Sequence, residues 1–283
     1  MNNNQFNEAQ FGAMRTAFLT AFPKIFTDID YSQEIFYNMK DLALDKGFYF
    51  TPNLFNNQMA IEIEARHKAL NKALEQHITS NSLVIEIAAG MTPRHLQFKK
   101  YNYLEVDFAP VMDIKKDIYQ KINQNKSLDN TVVGIDLADT KNLRAFLADV
   151  TKTKQYDKII ILNEGLFWYL TKEEIAAMTT AIYESLVGND WMWITSDCPT
   201  EDKIVDDYRK VISDSAKVKR GTFSDYNDFS DFFKALGLSN KRHKLSDFLT
   251  YQDLTSAKLF SVEESEAIRR IKAYTDIAIF TRV

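Results

Sequence analysis

Cysteine is nearly missing: Cys198 is the only one in 283 residues. A single thiol cannot close an intrachain disulfide, and no Cys/His cluster has zinc spacing. No metal site is therefore expected, and a reducing compartment is. A surplus of positive charge is also missing. The chain has 35 Lys plus Arg against 39 Asp plus Glu, a net charge of −4 and a pI of about 5.7. Proteins that grip a phosphate backbone are usually basic, so nucleic acid is not an expected partner. No run of about 18 apolar residues occurs, so no transmembrane helix and no membrane partner are expected. The opening Met1-Asn2-Asn3-Asn4-Gln5 lacks the basic and apolar regions of a signal peptide, and the cytoplasm is the default expectation. With 8 glycines and 5 prolines, the sequence is neither collagen-like nor a low-complexity chain.

What is present describes an ordinary globular protein: 45% hydrophobic, 13% aromatic and 26% charged residues. At roughly 150 residues per domain, the length fits two domains or one α/β domain with additions. Residues 1–59 are aromatic-rich, with Phe18, Phe22, Phe26, Phe36, Tyr37, Phe48, Tyr49, Phe50 and Phe55, and read as short helices broken at Pro23 and Pro52. Residues 60–78 read as one helix, with Ile63, Leu70, Leu74 and Ile78 on one face. From residue 82 short apolar runs alternate with amphipathic segments. Strands are expected at 83–88, 102–107, 131–134, 158–163 and 191–195, with a last one at 275–281. Helices are expected around Ile175–Leu186 and Tyr226–Leu236, the latter stopped by Gly237. Apolar strands alternating with helices imply a mainly parallel sheet covered on both faces. The charged stretch 201–220, with Lys203, Arg209, Lys217, Lys219 and Arg220, reads as an insertion over the site or as a solvated helix face.

Ligands of such sheets bind beyond the carboxyl ends of the strands. After the first strand comes Ala88-Ala89-Gly90-Met91-Thr92-Pro93-Arg94, where Gly90 can take a positive φ. The turn is not GxGxxG, which counts against a nicotinamide-dependent oxidoreductase. The second strand ends in Asp107, placed to accept from two ribose hydroxyls, or a capping acid before Pro110. After the third strand, Asp136 is placed to accept from an adenine amino group beside Leu137, or to cap the helix around Leu143–Leu147. The fourth is followed by Glu164-Gly165-Leu166-Phe167-Trp168-Tyr169, a carboxylate ahead of an aromatic run. A lone buried charge is costly, and a cationic ligand would relieve that cost.

Taken together, these pieces resemble the class I S-adenosylmethionine-dependent methyltransferases. Within that class they resemble the leucine carboxyl methyltransferase family, which also includes polyketide O-methyltransferases. The carriers are Ala89-Gly90-Met91-Thr92 with Arg94, Leu104 to Pro110, Asp136-Leu137, Glu164 to Thr171, and Ala65 to Asn71 ahead of the first strand. The likeness spans roughly residues 60–200. It implies an α/β, Rossmann-like, seven-stranded, mainly parallel sheet with helices on both faces, residues 60–283 forming the methyltransferase domain and 1–59 an N-terminal helical cap. It implies S-adenosyl-L-methionine as cofactor and a small-molecule acceptor as partner, with oligomeric state open. By position, Arg66 would pair with the methionyl carboxylate, while Glu86, Ala88 and Gly90 would line the methionyl part. Asp107 would bind ribose, Asp136 and Leu137 adenine, and Glu164 the methionyl amino group or the sulfonium side. Ala88 stands where a glycine is common, and Asn71 where many relatives have Asp.

The resulting expectation is transfer of a methyl group to a carboxylate or hydroxyl of a small molecule. Protein C-terminal carboxyl methylation and a non-catalytic cofactor-binding scaffold are the alternatives. A carboxylate acceptor needs no base, whereas a hydroxyl gains from one. Tyr169 is the candidate catalytic side chain. Phe167 and Trp168 would wall the acceptor or pack as core, and His67, His77, His95 and His243 are the only histidines.

Overall fold

The computed structural model of the protein describes residues 8–45, 57–122, 131–201, 223–274 and 276–283. Phe48, Tyr49, Phe50, Pro52 and Phe55, and the stretch 202–220 with its basic residues, lie outside them.

Three helices come first: α1 (Glu8–Lys24), α2 (Ser32–Asp45) and α3 (Asn57–Glu75). The alternating part follows: β1 (Ser82–Ile87), the short turn α4 (Arg94–Gln97), β2 (Asn102–Asp107), α5 (Ala109–Ile122), β3 (Val132–Gly134), α6 (Thr140–Thr153), β4 (Lys158–Asn163), α7 (Lys172–Ser185) and β5 (Trp191–Thr195). Last come α8 (Tyr226–Ala235), β6 (Leu238–Lys244), α9 (Thr255–Leu259), α10 (Glu264–Tyr274) and β7 (Asp276–Arg282). Among the described residues the strands form one seven-stranded sheet in the order β3-β2-β1-β4-β5-β7-β6. The pairings from β3 through β5 are parallel, and β7 runs antiparallel to both β5 and β6.

Burial explains the strand signal. Every residue of β1 and β5 is buried, because helices cover both faces. One face packs Ile85, Ile161 and Trp193 against Leu143, Ile175, Ile182 and Phe233 of α6, α7 and α8. The other packs Val84, Ile160 and Ile194 against Ala65, Leu70, Leu74 and Ile271 of α3 and α10. The expected faces of α3 and α7 are buried at Ile63, Leu70, Leu74, Ile175, Met178 and Ile182, but α3 ends at Glu75, so Ile78 lies beyond the helix and is half-buried. α1 and α2 share a core with the sheet region: Phe18, Ala21, Phe36 and Met39 pack on Met91, Val111 and Ile118.

The sixth strand was not expected. In Leu238–Lys244 only Leu238 is fully buried, so no apolar alternation marks it. As an edge strand it carries Lys241, Arg242 and Lys244, charges of the kind that discourage edge-to-edge association.

Beneath the β1 and β2 ends lies a closed ion pair. Lys115 of α5 donates to Glu105 at 2.7 Å, both are 0% exposed, and the Tyr119 hydroxyl donates to the same carboxylate at 2.9 Å. Removing one partner of such a pair leaves a buried unpaired charge. Glu105→Ala is therefore expected to cost on the order of 3–5 kcal/mol of unfolding free energy, measured by denaturant titration. A loss under about 1 kcal/mol would show that water reaches Lys115.

Candidate active site at the carboxyl ends of the strands

The loop after β1 turns on two left-handed residues, Ala88 at φ +52° and Gly90 at φ +46°. Gly90 is where the positive φ was expected. Ala88 adopts one despite its Cβ, which is a strained conformation for a non-glycine residue. Asp107, the last residue of β2, holds this turn from the neighbouring strand. Its carboxylate accepts from the Gly90 amide at 2.8 Å and from the Phe108 amide at 2.7 Å. Burial pushes the Asp107 carboxyl up, against those two bonds. Its amide partners are in loops and not in the first turn of α5, so it is no helix cap. The approach of α5 is set by Gly134 at the end of β3, where a Cβ would meet the Ala109 Cα at 2.6 Å.

Glu164, just past β4, is the centre of a charge cluster. One carboxylate oxygen accepts from Arg66 Nε of α3 at 3.1 Å, the other from Arg94 Nη2 at 2.8 Å. Burial alone would raise its pKa, but the charges of Lys24, Arg66 and Arg94 outweigh that and hold it well below the usual carboxylate range. Arg94 is fully buried and also donates to Glu86, to Asn71 Oδ1 at 2.7 Å and to His67 Nδ1 at 3.0 Å. Glu86 is closed to solvent, its second oxygen accepting from the Tyr103 hydroxyl at 2.7 Å. Asn71, where the family resemblance implied Asp, thus makes its hydrogen bond to the cluster through its amide oxygen. His67 is buried and held well below its ordinary pKa by burial and by Arg94, so it is neutral.

Two members of the site were missed in the sequence. Lys24, the last residue of α1, is 5% exposed, and burial lowers its pKa to about 8 with Glu164, Arg94 and Arg66 all in electrostatic range. Among the described residues its ammonium has no hydrogen bond or ion pair. No local pattern marks it, because only the packing of α1 brings it here. Asp197, two residues past β5, is 0% exposed and accepts from the amides of Gly165 at 2.6 Å, Leu166 at 2.5 Å and Phe167 at 2.9 Å. It also accepts from Asn163 Nδ2 at 2.6 Å, and Asn163 Oδ1 in turn accepts from Trp193 Nε1 at 2.6 Å. The one signal it gives, an acid just past a strand, is shared by ordinary turns.

The remaining expected residues fall as follows. Asp136 is exposed and accepts the Ala138 amide at 3.0 Å, and the cap of α6 is Asp139 instead. Leu137 is 7% exposed, in the core beside Val106 and Leu166. Phe167 is core, edge-on to Trp193 with centroids 5.5 Å apart and against Phe233. Trp168 and Tyr169 are half-buried in the same 3-10 turn. His95 is buried, stacked on Tyr103 with centroids 5.5 Å apart, and burial lowers its pKa to about 4. Glu62 lies one turn from Arg66 on α3, accepts from Gln58 at 2.9 Å, and is pushed up to about 7 by burial. No group of three or more His, Cys, Asp or Glu among the described residues could hold a metal, and no described helix is long and apolar enough to cross a membrane.

A mostly parallel seven-stranded sheet, with a left-handed turn after β1 and carboxylates at the ends of β2 and β4, defines a class I S-adenosylmethionine-dependent methyltransferase. The chain belongs to the leucine carboxyl methyltransferase family, whose sequence model matches residues 33–183. Similar solved structures include PigF with S-adenosylhomocysteine, at 12% identity over 96% of this chain and 70% of that one, TM-score 0.49. A proposed O-methyltransferase from Nostoc punctiforme matches at 12% identity over 92% of this chain and 71% of that one, TM-score 0.48. Human N-acetylserotonin methyltransferase with S-adenosylmethionine matches at 9% identity over 80% of this chain and 55% of that one, TM-score 0.44. No curated protein matches the sequence.

Two outcomes follow from the strained and the buried groups. Ala88→Gly is expected to raise stability by about 0.5–1 kcal/mol in thermal melts, since relief of the left-handed strain exceeds the entropic cost of glycine. A decrease would mean that the Ala88 methyl is needed for packing. Glu62 has a folded-state pKa above its unfolded value, so its favourable contribution is whole below pH about 4.5 and is lost as pH rises through about 7. Glu62→Gln is expected to stabilise the protein by up to about 3 kcal/mol at pH 8 and by little at pH 4. Equal effects at both pH values would mean that the carboxyl titrates normally.

Proposed function

We propose that this chain transfers the methyl group of S-adenosyl-L-methionine to an oxygen, carboxylate or hydroxyl, of a small-molecule acceptor. The observation that carries the reading is the Arg66–Glu164 pair at 3.1 Å, with the ammonium of Lys24 beside it. An amino-acid group presents the complementary pair, a carboxylate and an ammonium. Arg66 and Lys24 suit the carboxylate and Glu164 the ammonium. Among the described residues the Lys24 ammonium makes no hydrogen bond or ion pair, and a ligand carboxylate would supply one.

The other strand ends fit the rest of the molecule. The turn at Gly90 brings backbone close to the methionyl chain, and Asp107 keeps unused lone pairs for ribose hydroxyls while bracing that turn. Asp136 is exposed and open to an adenine amino group, with Leu137 behind it. Glu86 supports the cluster from beneath. When bound, the cofactor supplies a methyl group already activated on a sulfonium, open to in-line displacement by oxygen. The protein's part is orientation, which in the best model systems is worth about 7–11 kcal/mol. A carboxylate acceptor needs no proton removed. For a hydroxyl acceptor, Tyr169 in the 3-10 turn after Glu164 is the candidate side chain, and Glu62, one turn from Arg66 on α3 and pushed up to about 7 by burial, is a second titratable group near the cluster.

Calorimetric titration is expected to show binding of S-adenosylmethionine and S-adenosylhomocysteine and none of NAD; the reverse pattern would sink the proposal. Arg66→Ala should weaken binding of both by about 1.5–3 kcal/mol. Lys24 loses its charge in the free protein above pH about 8, so affinity should fall as pH rises through that value, with proton uptake on binding. Lys24→Met should flatten this dependence, and an unchanged pH profile would remove Lys24 from the carboxylate site.

A further inference from the structure

The two arginines on Glu164 are not equivalent. Arg66 is 13% exposed on its side chain and holds one carboxylate oxygen. Arg94 is 0% exposed and holds the other. Arg94 is also fixed on every side: Nη1 donates to Glu86 of β1, Nη2 to Glu164 and to His67 Nδ1, and Nε to Asn71 Oδ1. The residues receiving those bonds form a second ring. Neutral His67, its Nδ1 accepting from Arg94, donates from Nε2 to Gln97 Oε1 at 3.0 Å, and Asn71 Nδ2 donates to the same oxygen at 2.9 Å. The guanidinium thus has four hydrogen bonds, to α3, β1 and the loop after β4, and no route to solvent.

Resting on the cofactor reading above, we propose that Arg94 is a positioning residue that holds Glu164 in place, ionised, when Arg66 turns to the ligand's carboxylate. Without it, Glu164 would lose its only described cationic hydrogen-bond donor at the moment Arg66 is drawn away. A buried carboxylate so abandoned would take up a proton or swing out. With it, the oxygen that Arg66 releases faces the ligand's ammonium, and the other stays clamped. Burying an arginine with two glutamates is weak evidence of a stability role, since apolar residues of similar volume often serve as well. Orientation of Glu164 is what the fork geometry supplies and an apolar residue cannot.

The test compares two probes on the full chain: S-adenosylhomocysteine, and 5′-methylthioadenosine, which has the nucleoside and thioether but no amino-acid group. Arg94→Lys keeps the charge and loses the fork. Asn71→Ala keeps Arg94 and loosens its Nε anchor. Arg94→Lys is expected to weaken S-adenosylhomocysteine about tenfold or more and Asn71→Ala about threefold, with methylthioadenosine changed by less than about twofold in both. Glu164→Gln in the Arg94→Lys background should add little further loss, because the two act as one unit. Equal weakening of both probes would reduce Arg94 to a structural residue and overturn the inference, as would unchanged binding of both. Should Arg94→Lys fail to fold, Asn71→Ala decides by the same contrast. Failure of the wild-type chain to bind either probe would sink the cofactor reading and this inference with it. Wild-type binding with indifferent variants would sink the inference alone.

Discussion

The site rests on a carboxylate that is ionised inside the protein. Glu164 sits 9% exposed among Lys24, Arg66 and Arg94, and the attraction of three cations outweighs the desolvation of its charge. Each cation comes from a different element: α1, α3 and the turn after β1. α3 and the first loop of the sheet are therefore tied by hydrogen bonds to one carboxylate past β4, and α1 by the field of Lys24. Displacing any of the three elements would leave a charge unbalanced, so the cluster ties the placement of α1 and α3 to the end of β4.

A second device recurs on both sides of this centre. The loop after β1 is held by Asp107 from the adjacent β2, and the loop after β4 by Asp197 from the adjacent β5. In each case an acid at or just past a strand end accepts amide hydrogens from the neighbouring strand's loop. Parallel pairing makes this possible, since it puts neighbouring carboxyl ends side by side. The two acids differ in exposure: Asp107 is half-buried and keeps an open side, whereas Asp197 is 0% exposed with its oxygens taken by four donors. The same chemistry leaves one acid with an open side and makes the other an internal brace.

Most of the sheet was legible because its strands are buried on both faces. Leu83–Ile85, Ile159–Leu162 and Trp191–Ile194 are apolar runs that leave little else to read. The strand-end acids Asp107 and Glu164 stood out for the converse reason, as charges at the ends of such runs. β6 was hidden because an edge strand need not be apolar. Asp197 was hidden because an acid after a strand is also what an ordinary turn contains. Lys24 was out of reach on different grounds: it ends a helix that contains Pro23, and nothing near it in sequence shares its function. Arg94 was legible only as part of the turn after the first strand; its full burial and its pairs with Glu86 and Glu164 come from the packing.

β7 lies between β5 and β6, yet it follows both in chain order. On the ribosome, therefore, β5 emerges with an open flank and β6 with no neighbour to pair with. Until Asp276–Arg282 has been made, Trp193, Ile194 and Thr195 lack the partners Phe280, Ile279 and Ala278. The apolar β5 thus waits, unpaired on one flank, until β7 has been made, a window in which chaperone capture and misassociation compete with closure.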